Sequence, residues 1–234
     1  MDELKNPSPA NETTSISTSP AILKGRWSFD EGKGNTVTDS SGNGNNGTLR
    51  AGASWTAGKV GQYAVALTGG SNSFVTIPEP VVDTGQSFSV AAWVKLNTLD
   101  NWQTAVSIDG VNNSGFYLQW SKNFGTFAFS VVPSDAKNPQ GQSVPAYIIK
   151  KPETGIWYHL VGVYDGDLLK LYVNGELQNE DEFATAWTAK GPTIIGRAKV
   201  NGSPTDFFNG QIDDVRIYSG VLTDAEISDL AAGR

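Results

Sequence analysis

Two adjacent carboxylates, Asp213 and Asp214, stand inside an otherwise apolar stretch, FNGQIDDVRIYSGVL, that runs from Phe208 to Leu222. Neighbouring acids can serve acid–base chemistry, metal binding or internal ion pairing. Acid–base work across one bond does not suit these two, because consecutive residues of a strand point to opposite faces. Alternation places Asp213 on the side of Val215 and Ile217, and Asp214 on the side of Arg216. If Val215 and Ile217 face the core, Asp213 enters the interior with them. A carboxylate there must be paired, for which Arg26 and Arg216 are candidates, hydrogen-bonded by several donors, or bound to a metal.

The other residues with chemical reach are aromatic rings in polar company. Trp102 follows Asp100 and Asn101 in a polar loop where a core residue is not expected. In GFYLQW, Tyr117 and Gln119 share one face and Phe116, Leu118 and Trp120 the other. Asp109 and Asn112 lie in the turn just before, and Arg197 ends the segment PTIIGR. A flat ring for the apolar face of a sugar, with amide, carboxylate or guanidinium groups for its hydroxyls, is the composition of a carbohydrate site. Trp102, Asp109, Asn112, Tyr117, Gln119 and Arg197 are therefore the candidate ligand-binding residues. Trp27, Trp93 and Trp157 read instead as core residues from their alternating neighbours. His159, the single histidine, shares a face with Trp157, Val161 and Val163, the pattern of a satisfied sheet histidine. No G-x-S-x-G, Walker A or H-E-x-x-H pattern is present, so no catalytic residues are assigned.

These residues need strands to position them. Phe88 to Leu96 alternates cleanly, with Phe88, Val90, Ala92, Val94 and Leu96 on one face and Ser89, Ala91, Trp93 and Lys95 on the other. Strands are also expected at Gln103 to Ile108, Gly115 to Trp120 and Thr126 to Val132, before a polar excursion from Pro133 to Pro145. A hairpin around Asp165-Gly166 joins Trp157–Tyr164 to Leu168–Val173, and Asn174-Gly175 supplies the next turn. About a dozen short strands at this spacing make a sandwich or barrel. Thr223 and Glu226 form a capping box for one short terminal helix, with Leu222 and Ile227 as its hydrophobic staple.

The 234 residues allow one large all-β domain, here 21–234, preceded by a tether at 1–20 that is rich in Ser, Thr, Asn and Pro. A net charge of −7 without any Lys/Arg cluster excludes a phosphate-backbone interface, so no nucleic acid is expected. The absence of cysteine excludes disulfides and thiolate metal sites. No apolar run approaches the ~18 residues of a spanning helix, so no membrane insertion is expected either.

Four phrases in order carry a resemblance: GRWSFDEGKGNTVTDSSGNGNNGTL, SFSVAAWVKL, GIWYHLVGVYDGDLLKLYVNGEL and FFNGQIDDVRIYSGVLTDAEISDL. Together, over roughly Ala21 to Leu230, they resemble the laminin-G-like, concanavalin A-like jelly-roll domains of bacterial extracellular proteins. The resemblance implies two antiparallel sheets packed face to face, with the first and last strands as neighbours. It also implies a structural calcium ion near the meeting of the termini. On this sequence the expected ligands are Asp30, Asp39, Asn46 and Asp213, since Ca²⁺ favours carboxylate and amide oxygens on irregular loops. The compact acidic signature of the fold's enzymatic branches, Glu-x-Asp-x-x-Glu, is absent. The expectation is a non-catalytic carbohydrate-binding module of a secreted or cell-surface protein, its signal peptide removed or upstream. It would hold a linked glycoside hydrolase on its polysaccharide. The alternatives are a protein-binding adhesion module and a small glycosidase or polysaccharide lyase.

Overall fold

The computed structural model describes residues 20–139, 144–147 and 151–234. Residues 1–19 of the expected tether, and most of the Pro133–Pro145 excursion beyond residue 139, lie outside the described residues. With strands numbered along the chain, the first sheet runs β14 (Glu176–Glu182), β13 (Leu168–Val173), β12 (Trp157–Tyr164), β7 (Phe88–Leu96), β18 (Asn209–Ser219), β5 (Tyr63–Thr68) and β4 (Ser54–Ala57). β1 (Ile22–Trp27) adds to β18 alongside β5, so the first and last strands are neighbours as expected. The second sheet runs β11 (Val144–Tyr147), β10 (Thr126–Val131), β9 (Ser114–Ser121), β8 (Gln103–Asp109), β15 (Thr193–Ile195), β6 (Val75–Ile77), β3 (Gly47–Leu49) and β2 (Thr36–Val37). All named pairings are antiparallel, and a separate hairpin, β16 (Ala198–Val200) with β17 (Ser203–Thr205), follows β15.

The two sheets share one apolar core. The predicted inner face of β7, Phe88 to Leu96 at alternate positions, meets Phe116, Leu118 and Trp120 of β9 and Phe127 and Phe129 of β10. Gly162 of β12 lies on this inner face, where an added Cβ would come within 2.4 Å of the Phe129 ring. A smaller cluster lies outside the first sheet, where helix α1 (Asp224–Ala231) covers Ala91, Val161, Val163, Tyr172 and Tyr218. Its capping box is formed as read from the sequence, and Leu222 and Ile227 join the same cluster. Ser89 fixes the entry to the helix, donating to Gly220 O and accepting from Leu222 N at 3.0 Å each.

Strict alternation fails at Asp213 and Asp214. β18 pairs Asp213 with Trp93 and then Arg216 with Ala91, so three steps on β18 oppose two on β7. The extra residue is Asp214, held at φ 39° in a β-bulge. Ile212, Val215 and Ile217 therefore all reach the core, and Asp213 stands on the outer side with Trp93. Its predicted place beside Val215 and Ile217 is corrected by that one inserted residue. Two tryptophans are reassigned by the same outer face. Trp27 is fully buried in the core, but Trp93 lies under Lys59, with Nζ 4.9 Å from the ring centroid, and Trp157 under Lys95 at 4.9 Å. His159 packs against Trp93 on that face, 2% exposed, and burial lowers its pKa to about 4.

Candidate functional site

The residues expected to hold calcium do not assemble into one cage. Asp213 Oδ2 accepts the backbone N–H groups of Lys59 and Val60 at 2.7 and 2.8 Å, and Oδ1 accepts that of Asp214 at 2.8 Å. Burial pushes Asp213 up to about 6 against these three bonds, and the Asp214 carboxylate adds to the rise. Asp30 Oδ1 accepts Gln62 N and Tyr63 N at 2.6 and 3.0 Å. Gly61 turns between them at φ +71°, where an added Cβ would lie 2.2 Å from the Asp30 carboxylate. Asp39 closes its own loop instead, accepting from the backbones of Arg26, Ser41 and Asn45, while Asn46 Oδ1 accepts Asp39 N at 2.8 Å. Burial would raise Asp39, but these bonds and the Ser41 hydroxyl hold it below the usual carboxylate range. Among the described residues no group of three or more acidic or histidine side chains is placed to hold a metal. The expected ligands fall instead into two arrangements, Asp30 and Asp213 holding the 58–63 loop and Asp39 and Asn46 holding their own. Arg26 and Arg216 both pair with Asp214, at 3.0 and 2.7 Å.

On the outer face of the second sheet, three of the predicted ligand residues come together. Trp102, Tyr117 and Gln119 line an open depression of about 450 Å³ together with Val200, Thr205 and Asp206. Alternation explains the floor: Tyr117 and Gln119 face outward because Phe116, Leu118 and Trp120 fill the core. Gln119 Nε2 donates to Ser130 Oγ on β10 at 3.1 Å. The Tyr117 hydroxyl accepts Ser114 N and donates to Lys199 O, both at 3.1 Å, so the ring and not the hydroxyl faces the depression. Trp102 is held through its neighbour Gln103, whose amide donates to Thr98 O at 2.7 Å and accepts Asn209 N at 2.8 Å. The indole N–H of Trp102 has no hydrogen-bond partner among the described residues.

Asp109, Arg197 and Asn112 do not reach the depression. Asp109, 1% exposed, is bound to Arg197 at 2.9 Å and approached by Lys199 Nζ at 3.5 Å. Ser114 Oγ donates to Asp109 and accepts Lys199 N, so this buried network seats the β16–β17 hairpin on β8 and β9. Asn112 is consumed by Asp135, accepted at its backbone N–H by Oδ1 at 2.8 Å and at its side chain by the backbone carbonyl at 2.7 Å. These residues are corrected from ligand contacts to supports: charged groups on a turn read alike in sequence whether they pair inward or face solvent.

The site also holds residues that sequence reasoning missed. Asn113, Asn138 and Asn201 come from three segments and bond one another, Asn138 N to Asn201 Oδ1 at 2.7 Å and Asn201 N to Asn113 Oδ1 at 3.2 Å. Asp206 is the most informative of the missed set. Burial raises its pKa above the usual carboxylate value, offset only by the Thr205 hydroxyl, which donates to it at 3.1 Å. Its place is fixed by Thr104 N, which donates to Asp206 O at 2.8 Å, and by φ 54°. No motif in the sequence SPTDFF marks it.

The architecture defines an antiparallel jelly roll with a groove on one sheet. The chain belongs to the laminin-G-like family described as the concanavalin A-like lectin/glucanases superfamily, whose profile matches residues 68–228. Among solved structures, it is similar to domain 4 of AbnA, a GH43 extracellular arabinanase from Geobacillus stearothermophilus, in complex with arabinotriose. That match has 28% identity and a TM-score of 0.72, over 91% of this chain and 100% of that one. The botulinum neurotoxin serotype G binding domain matches at 18% identity and TM-score 0.69, over 90% of this chain and 51% of that one. Trypanosoma rangeli sialidase matches at 15% identity and TM-score 0.64, over 89% of this chain and 32% of that one. The latter two share the fold, and this chain spans about half of the first and about a third of the second. Comparison with curated protein sequences found no match. Among the described residues, no helix is long and apolar enough to cross a membrane.

Proposed function

We propose that this chain is a non-catalytic carbohydrate-binding module of a secreted or cell-surface protein, which holds a linked catalytic unit on its polysaccharide. The observation that carries the reading is the convergence of Trp102, Tyr117, Gln119 and Asp206 on one open depression of about 450 Å³. Rings for the apolar faces of sugars and a carboxylate and amides for their hydroxyls meet there on a sheet made rigid by its own core. The 28% identical domain with bound arabinotriose, part of an extracellular arabinanase, supports the same ligand class.

Hydrolysis of a glycosidic bond by the usual route needs two carboxylates about 5–10 Å apart across the substrate. Among the described residues lining the depression Asp206 is the one acid, which favours binding without turnover. A linked module gains from even weak binding, because tethering raises the effective concentration of the enzyme at its substrate.

A glycan array with and without chelator, followed by a reducing-sugar assay on every hit, tests this reading. Binding without sugar release is expected. Sugar release would convert the protein into a glycosidase or lyase, and a blank array with capture of a defined protein partner would favour adhesion.

A further inference from the structure

The depression does not end at Trp102. A second open depression of about 300 Å³ lies against it, lined by Gly69, Asn101, Trp102, Thr205, Asp206 and Phe207. Trp102, Thr205 and Asp206 belong to both. A side chain that lines two adjoining depressions is a rib between them, not the end wall of a closed pocket. Each space is large enough on its own for a small-molecule site. The ring of Trp102 thus offers apolar surface on two sides, and Asp206 stands beside it with one hydrogen bond, from Thr205, and acceptor capacity left over. The floor of the second depression is lowered at Gly69, which has no side chain and φ +76°.

The charge of the groove selects among glycans. Asp206 is the only charged side chain among the described residues lining either depression. Of the cations nearby, Arg197 holds Asp109 and Lys199 Nζ donates to Gly110 O at 2.9 Å, while Lys137 reaches towards Gly202 in the hairpin turn and does not line either depression. A carboxylate that is the one charged group among the described lining residues accepts hydroxyl hydrogens and repels carboxylates and sulfates, and the chain's net charge of −7 acts in the same direction.

We propose that the two depressions are successive subsites of one groove, so that the protein grips the interior of a neutral glycan chain laid across Trp102 and discriminates against acidic polysaccharides through Asp206. This deepens the carbohydrate-binding reading and rests on it. The test is calorimetric titration of the whole chain with arabino-, xylo- and cello-oligosaccharides of two to six units, and with polygalacturonate fragments of the same lengths. In at least one neutral series the affinity is expected to rise about ten-fold or more between two and six units. Asn101→Trp, which fills the second depression, should hold the six-unit ligand at the affinity of a short one. Val200→Trp, which fills the first, should abolish binding at every length, and Asp206→Asn should admit polygalacturonate. Binding that does not strengthen with length, or a length gain that survives Asn101→Trp, overturns the two-subsite groove while leaving a glycan site standing. Polygalacturonate bound as tightly as the neutral series overturns the role given to Asp206. If no neutral series binds at any length, the carbohydrate reading itself falls, and this inference with it.

Discussion

Two aspartates, the buried Asp213 and the half-buried Asp206, sit on outer faces of opposite sheets and do different work. Asp213 has both oxygens filled by three backbone N–H groups from two segments, and it ties the 58–63 loop to the last strand. Asp206 receives one hydroxyl, and it lines two depressions together with Trp102. Both are desolvated enough for burial to raise their pKa values. The difference lies in the donors. A carboxylate saturated by its own chain is a fastening, and one left with free acceptor capacity in a depression is available to a ligand.

That contrast can be broken from the support side first. Arg197→Met removes the partner of Asp109, whose carboxylate stays buried beneath the hairpin. The expected loss is about 3 kcal/mol, at the low end for a broken buried pair because Lys199 Nζ remains 3.5 Å away. In a thermal melt that corresponds to a drop of roughly 6–12 °C, with weakened glycan binding as the β16–β17 wall loosens. Asp213→Ala strands three N–H groups and should cost about 2 kcal/mol, or roughly 4–8 °C, with glycan affinity unchanged. Because the clasp is made of N–H bonds, calcium or chelator should move the melting temperature of the wild type by less than about 1 °C. A larger shift would mean that the carboxylates rearrange around a cation.

The smallest effect is a pH dependence on the same face. His159 is lowered to about 4 from 6.5, so its contribution to stability is present above 6.5 and lost as the pH falls towards 4. Asp213 is raised from 3.8 to about 6, so its contribution is full below 3.8 and lost as the pH rises through about 6. The two slopes oppose each other around Trp93. His159→Phe keeps the ring contact and removes one slope, so the stability of the wild type relative to this variant should grow as the pH rises from about 4 to 6.5. Denaturant melts at several pH values read it directly.

Much of the fold was legible because its signals are local. The faces of β7 and β9, the Asn174-Gly175 turn and the Thr223 capping box each depend on a few consecutive residues, and the structure has them as read. The floor of the groove was legible for the same reason, since Tyr117 and Gln119 follow from the period of one strand. What alternation could not reveal was the bulge at Asp214, since one extra residue on β18 leaves no mark in composition yet turns Asp213 to the other face. The wall of the groove was hidden for a different reason. Asn113 and Asn138 are far in sequence from Asn201 and Asp206, and their meeting depends on how the hairpin docks. Asp109 and Arg197 were misread because an inward ion pair and an outward pair of ligand contacts have the same residue types.

Trp102 is the side chain that both depressions share with Thr205 and Asp206. Calorimetric titration of the wild type and Trp102→Ala with the tightest neutral oligosaccharide, alongside thermal melts of both, tests its role most directly. Losing a stacked ring should lower affinity by about ten-fold or more, equivalent to about 1.4 kcal/mol, while the melting temperature stays within about 2 °C. Equal affinity in the two proteins, with both folded, would place the glycan somewhere other than this groove.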